Sequence, residues 1–539
     1  MATANPTFGS PALAFPAARP VDRSLFGLSY KWTVLVCTVF GTFMIMLDST
    51  IVNIALPKIT TVFGVTVSDA QLVVTSYMLA MAVVMPATGF LSDTFGTKRL
   101  FLITMALFTA GSLLCGLAWN NPSLVVFRVI QGLGGGMMSP LGMTMLFKAV
   151  PPQERNAVMG IYGLPIILAP VLGPTVGGYL VEYVDWRTIF TLNVPIGILG
   201  IFMALTFLRE SERLPDLKFD LRGFVLSAVA FSGLLLGFSD AATAGWTDPG
   251  VLARFAIGGT ALVAWIVVEL TDEQPLVELR LFQNRTFTLA MLVNFVLTVG
   301  LFGGQLLLPV FLQNFRGLGA AEAGLITMFQ ALPMLVMMPL VGRIIDRVGL
   351  RRMLLIGLPL VALTTLQFAT LDLTTSDNEL RLKLALRGAA MGLVMMPAMT
   401  AAMNAAPMHL MSRASSLTNV SRQVFGSFGT AIFVTILTTR TTFHTAMLGQ
   451  TVTPANITLQ QMVSNTTQML TGQGATQAQA QAVAMGMLQR YLGLSSAVMA
   501  FDDVFRVAAL VTLLGLIPAL FLKSQKRSGG PKAASPMME

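Results

Sequence analysis

The chain has 539 residues, of which 54% are hydrophobic and 11% charged; a soluble domain carries about 25% charge, so a soluble globular protein is excluded and a polytopic membrane protein indicated. The net charge of +9 does not point to nucleic acid, because Lys and Arg fall in short clusters between apolar runs, as in the cytoplasmic loops of membrane proteins. Two cysteines, Cys37 and Cys115, both inside apolar runs, and two histidines, His409 and His444, provide no disulfide framework and no CxxC metal site; no cofactor is implied.

Residues 1–30, rich in Ala and Pro, lack the basic start and short apolar core of a signal peptide and read as a cytoplasmic tail. The first apolar run, 32–57, holds one carboxylate, Asp48. A helix rising ~1.5 Å per residue from Trp32 to Pro57 crosses the roughly 30 Å of bilayer hydrocarbon and places Asp48 past the middle. A carboxylate there costs several kcal/mol, so it must face protein or a water-filled cavity, and burial penalises its charged form. Asp48 reads as the proton-carrying residue of a transporter; the other reading is a structural acid hydrogen-bonded to neighbouring helices.

Further spanning runs follow at 70–91, 99–118, 123–147, 156–181, 187–208, 220–240, 251–270, 286–313, 322–345, 352–371, 383–405, 413–439 and 503–522. The expected fold is therefore all-α, with about fourteen transmembrane helices. The clusters Lys98/Arg99, Lys148/Arg155, Arg209/Arg213/Lys218/Arg222, Arg280/Arg285, Arg343/Arg347/Arg351/Arg352, Arg413 and Lys523/Lys526/Arg527 fall on one side, while Lys58, Arg187, Arg316, Arg381, Lys383, Arg440 and Arg490 are scattered among the opposite loops, which places both termini in the cytoplasm.

An internal repeat orders these runs. Gly89-xxx-Asp93-xx-Gly96-x-Lys98-Arg99 recurs as Gly342-xxx-Asp346-xx-Gly349-x-Arg351-Arg352, each element shifted by 253 (342 − 89, 346 − 93, 349 − 96). Each copy joins the second and third helices of a six-helix half. The expected organisation is an N-terminal bundle at 31–208, a linker with two inserted helices at 209–285, a C-terminal bundle at 286–523 and a cytoplasmic tail at 524–539. Within the second bundle, 440–500 is polar and rich in Gln, Thr, Ala and Met; it reads as an extracytoplasmic helical hairpin or as a tolerated long loop.

The repeated turn is identified as the loop motif of the major facilitator superfamily. The resemblance implies that Gly89, Asp93, Gly96 and Arg99, with Asp346 in the second copy, form a latch that closes the cytoplasmic side. Arg128, followed by Gln131 and the run Gly132, Gly134, Gly135 and Gly136, resembles the fourth-helix Arg motif linked in that superfamily to proton transfer. From its chemistry alone Arg128 equally suits snorkelling or binding of backbone carbonyls. Pro170, Gly173, Pro174, Gly177 and Gly178 look like the antiporter motif of proton-coupled exporters. Together with Leu47–Pro57, Asp185–Gly197 and Arg413-Ala-Ser-Ser, these stretches closely resemble the fourteen-helix drug:proton antiporters typified by EmrB and QacA.

That resemblance implies proton-driven efflux of lipophilic or amphipathic small molecules across a bacterial inner membrane. It also implies a periplasmic adaptor of the EmrA type and an outer-membrane channel of the TolC type as partners, beside membrane lipid. Asn53, Met138, Met395, Met396 and Met399 are candidates for a pliable substrate cavity, although most methionines of such a chain serve as core or lipid-facing residues. Export of one endogenous metabolite, such as a siderophore or lipid precursor, is the near alternative. A sensor has no added domain in this sequence, and an integral membrane enzyme has no visible His/Cys/Asp cluster.

Overall fold

A computed structural model describes residues 28–522 except 212, 214–217, 373 and 451–456; the side chains of 171, 174, 302–306, 320, 321, 346, 457 and 458 also lie outside the description. The tails expected at 1–30 and 524–539 are thus outside the described residues, save 28–30. Six rods form the first half: α1 (Tyr30–Phe63), α2 (Val67–Val84) with α3 (Ala87–Phe95), α4 (Thr97–Gly116), α5 (Asn121–Ala149), α6 (Arg155–Tyr162) with α7 (Leu164–Tyr183), and α8 (Thr188–Thr191) with α9 (Asn193–Phe207). Three rods break near a proline, Pro86, Pro165 or Pro195, because the ring removes a backbone donor and crowds the preceding turn.

The inserted pair is α10 (Leu221–Ala244) and α11 (Pro249–Thr271). The second half comprises α12 (Arg285–Val310), α13 (Ala320–Val348), α14 (Leu350–Leu366), α15 (Asp377–Ala405), α16 (Met411–Gly449), a short outer helix α17 (Ile457–Gly472), and α18 (Gln477–Leu514) with α19 (Leu516–Phe521). Among the described residues, thirteen helices are long and apolar enough to cross a membrane, and α12 contributes a shorter apolar stretch, Arg285–Leu301, where a ninth span is expected. Two six-helix bundles with an inserted pair account for every rod.

The repeated turns adopt one geometry. Gly96 has φ 90 and ψ 141, and Gly349 has φ 89 and ψ 144, a conformation that a side chain with Cβ disfavours. Around these turns, at the end of the molecule carrying the Lys and Arg clusters, the halves meet. A Cβ on Gly89 would lie 2.9 Å from the Arg413 backbone, and one on Gly160 would lie 2.7 Å from the Met338 carbonyl oxygen. Ser416 Oγ donates to the Met85 carbonyl at 2.6 Å, and Ser415 Oγ to that of Pro140 at 2.8 Å.

At the opposite end α17 and the start of α18 lie side by side, joined by the turn at 473–476. The 39 residues of α16 and the 38 of α18 each run roughly 58 Å at ~1.5 Å per residue, nearly twice the hydrocarbon thickness. The polar segment is largely their prolongation, with α17 beside α18. Ala, Gln and Met between Gln477 and Ala500 favour helix, and no proline interrupts them. Asp503 ties the two rods together, accepting from Arg440 Nε at 2.6 Å and lying 2.8 Å from His444 Nε2.

Candidate functional site

Asp48 lies in the core of the first half with no solvent exposure. Arg128 and Gln131 stand three residues apart on α5 and so share a face. Their helix can come close because Gly132 has no side chain: a Cβ there would sit 2.7 Å from the Tyr77 carbonyl of α2. Arg128 Nη1 donates to Asp48 Oδ2 at 2.5 Å and to Gln131 Oε1 at 2.6 Å, while its Nε donates to the Val73 carbonyl at 3.1 Å. The other carboxylate oxygen, Oδ1, accepts from Gln131 Nε2 at 2.8 Å and from Asn193 Nδ2 at 3.1 Å. Ser112 Oγ accepts from the same two amides, at 2.6 and 3.4 Å. The Arg128 guanidinium carbon lies 3.9 Å from the centre of the Tyr77 ring, a cation–π contact.

This arrangement meets the condition for keeping two charges out of water: the pair is neutral overall, Arg128 itself occupies Oδ2, and two further hydrogen bonds occupy Oδ1. Removing either member would leave the other charge buried without its partner. Two buried atoms of the cluster, Tyr77 Oη and Asn193 Oδ1, have no hydrogen-bond partner. Sequence reasoning selected Asp48 and Arg128 but missed Tyr77, Ser112, Gln131 and Asn193 as members of their site. The available signal was the one-turn spacing of Gln131 from Arg128.

A second charged cluster sits where the halves meet. Arg413 of α16 places Nε 3.8 Å from Asp93 Oδ2 and Nη1 3.5 Å from Glu278 Oε2, and all three side chains are about one-tenth exposed. One cation thus touches the first half, the connector after the inserted pair and its own half. Burial pushes the Asp93 carboxyl above its ordinary value, with Ser412, Lys148 and Arg413 opposing that shift. Arg99 does not join Asp93: its Nε lies 3.7 Å from Glu210 in the linker after α9. Asp346 falls in α13, with its side chain outside the described residues.

A family model described as Major Facilitator Superfamily matches residues 38–430. The chain belongs to the major facilitator superfamily. The chain is 36% identical over 499 residues to the uncharacterized MFS-type transporter YhcA of Bacillus subtilis, covering 92% of this chain and 93% of that one. It is 34% identical over 536 residues to the multidrug resistance protein B homolog of Mycobacterium tuberculosis, covering 96% of each. With the multidrug export protein EmrB of Escherichia coli it shares 31% identity over 495 residues, covering 91% of this chain and 95% of that one. A crystal structure of the human organic anion transporter MFSD10 (TETRAN) has the same fold, with a TM-score of 0.55 at 15% identity, covering 89% of this chain and 99% of that one. As a member of the superfamily, the protein is a multi-pass membrane transporter and not an enzyme.

In this superfamily member the Pro/Gly stretch of α7 lies against α1 close to Asp48. A Cβ on Gly173 would sit 3.0 Å from Thr50 Cβ, and one on Gly177 would sit 2.5 Å from Ile51 Cγ1, whereas Gly178 faces open space. Pro170 is half-buried, and the side chain of Pro174 is outside the described residues. The candidate cavity residues do not form one group. Asn53 is exposed, its Nδ2 donating to the Ser49 carbonyl at 3.2 Å. Met138 is buried against Gly41 in the first half. Met396 is buried at the seam between halves beside Gly163 and Gly342. Met399 is buried on the same helix, and Met395 is half-buried.

Proposed function

We propose that the protein is a proton-driven exporter of lipophilic or amphipathic compounds. It would act in a bacterial inner membrane with both termini cytoplasmic. The observation that carries the reading is the fully buried Asp48–Arg128 pair and its three-donor carboxylate. Proton binding at Asp48 frees Arg128, the donors on α5 and α9 rearrange around it, and α7 repacks on α1 at Gly173 and Gly177. Multidrug relatives that match over nine-tenths of the chain support a broad cargo. The Asp93–Arg413–Glu278 contact is the cytoplasmic latch in this reading, made when the cleft faces outward.

An EmrA-like adaptor gripping the prolonged α16–α18 rods, and a TolC-like channel beyond it, complete the proposal. The experiment is transport of a fluorescent amphipathic dye into or out of proteoliposomes under an imposed pH gradient, with and without a protonophore. Gradient-driven transport that collapses with the protonophore and is absent in Asp48→Asn is the expected result. Transport indifferent to the gradient refutes the proton drive; response to a single metabolite across a compound panel refutes the broad cargo.

A further inference from the structure

α5 and α15 are both 29 residues long, and their N-caps, Asn120 and Ser376, stand 256 positions apart. At the same offset Gly132 and Gly136 correspond to Gly388 and Gly392. Each pair is pressed on a neighbouring helix: the first on Tyr77 and Met81 of α2, the second on Gln330 and Met337 of α13. Gln131, which donates to Asp48, then corresponds to Arg387 (387 − 131 = 256). The second half carries a guanidinium at the depth where the first half assembles its charge pair.

Arg387 is 1% exposed, and neither Nε nor Nη1 has a hydrogen-bond partner. Its guanidinium carbon lies 5.5 Å from the centre of the Phe368 ring. Among the described residues no carboxylate acts on it; Asp502 of α18, whose Oδ1 is also buried without a partner, feels the charges of Arg506, Asp503, Asp372 and Lys383 instead. Arginine does not shed its proton in proteins, so it cannot escape the cost of burial by becoming neutral. A permanent cation with two idle donor nitrogens in an apolar core has the chemistry of an anion receptor.

We propose that Arg387 binds an anionic group within the second half. Charge-assisted donation from the guanidinium recognises either a small free anion such as chloride or the carboxylate of a transported amphipathic acid. The second source rests on the export reading; the first is independent of it.

The test is thermal unfolding of the purified full-length protein in sodium gluconate, whose hydroxylated anion is excluded from an apolar core. Sodium chloride or sodium salicylate is titrated in at constant ionic strength. The unfolding midpoint is expected to rise by about 2 °C or more as the bound anion passes from its Kd to a hundredfold excess. Arg387→Met should erase the rise, and in gluconate alone it should melt above the wild type, because an uncompensated buried charge has gone. Arg387→Lys should keep a weakened response. A rise with chloride assigns a free ion, and a rise confined to salicylate assigns cargo. Because the readout requires no transport, its failure leaves the Asp48 proposal untouched. If neither anion shifts the wild type, or if Arg387→Met responds as the wild type does, the proposal is overturned. Non-additive loss of transport in Arg387→Met and Asp502→Asn, with no anion response, also overturns it and assigns an ion pair formed in another conformation.

Discussion

Arg413 of α16 and Asp93 of the first repeated turn, 320 positions apart (413 − 93), approach to 3.8 Å across the boundary between the halves. The connector after the inserted helices enters the same contact through Glu278, 3.5 Å from Arg413. Three separate parts of the chain thus meet at this end.

The first prediction concerns pH. Burial raises the Asp93 carboxyl above its ordinary value of 3.8; in the proposed cycle, opening this end would hydrate it. A carboxyl that holds its proton more tightly when buried contributes to closure fully below the ordinary value and loses that contribution as pH rises through the raised one. Spin-label distances across the Asp93 end should shift toward closure as pH falls, and Asp93→Asn should flatten the dependence. Unchanged pH dependence in the variant would place the titrating group elsewhere.

Arg128→Met should destabilise the protein by roughly 3–5 kcal/mol, since it leaves Asp48 buried without its counter-charge. Asp48→Asn also breaks the pair, although its amide keeps much of the shape. The double variant should recover much of the loss, and a double-mutant cycle of unfolding midpoints in detergent measures the coupling. Additive effects would contradict the paired geometry.

Gly96→Ala and Gly349→Ala each force a Cβ into a positive-φ turn, at a cost of about 1–2 kcal/mol. Both unfolding midpoints should fall, and Glu210→Ala should recover part of the Gly96→Ala loss, because the new Cβ also meets the Glu210 carboxylate.

The spans and the repeat were legible because apolar run length and glycine spacing are local properties of a chain. Asp48 and Arg128 stood out because charge is rare in such runs. Their bond was not legible: it joins helices 80 positions apart, and the sequence holds no mark of which faces meet. Ser112, Gln131 and Asn193 were hidden for another reason. Neutral polar side chains are tolerated in packed spans, and only the convergence of four helices makes these three a shell. Arg387 escaped notice because it follows Arg381 and Lys383, which read as the charged end of a span.

Removing 450–490 behind a short Gly/Ser linker should abolish drug resistance in intact cells while leaving gradient-driven transport in liposomes. The rods remain joined at their root through Arg440 and Asp503, and the removed part exposes Met462, Met469, Val483, Met485 and Met487, side chains suited to a partner. Failure of both assays would instead make the segment part of the cavity mouth.

One rod joins the two ends of the molecule: α16 carries Arg413 near its start and the outer extension at its finish, with no proline along its 39 residues. A rod of roughly 58 Å pivoting at one end moves the other by about 5 Å for a 5° tilt. That exceeds the reach of an ion pair seated at 3.8 Å. In the proposed export cycle, a protein grasping that far tip would therefore hold a lever on the Arg413 end, and would set the timing of release without touching cargo.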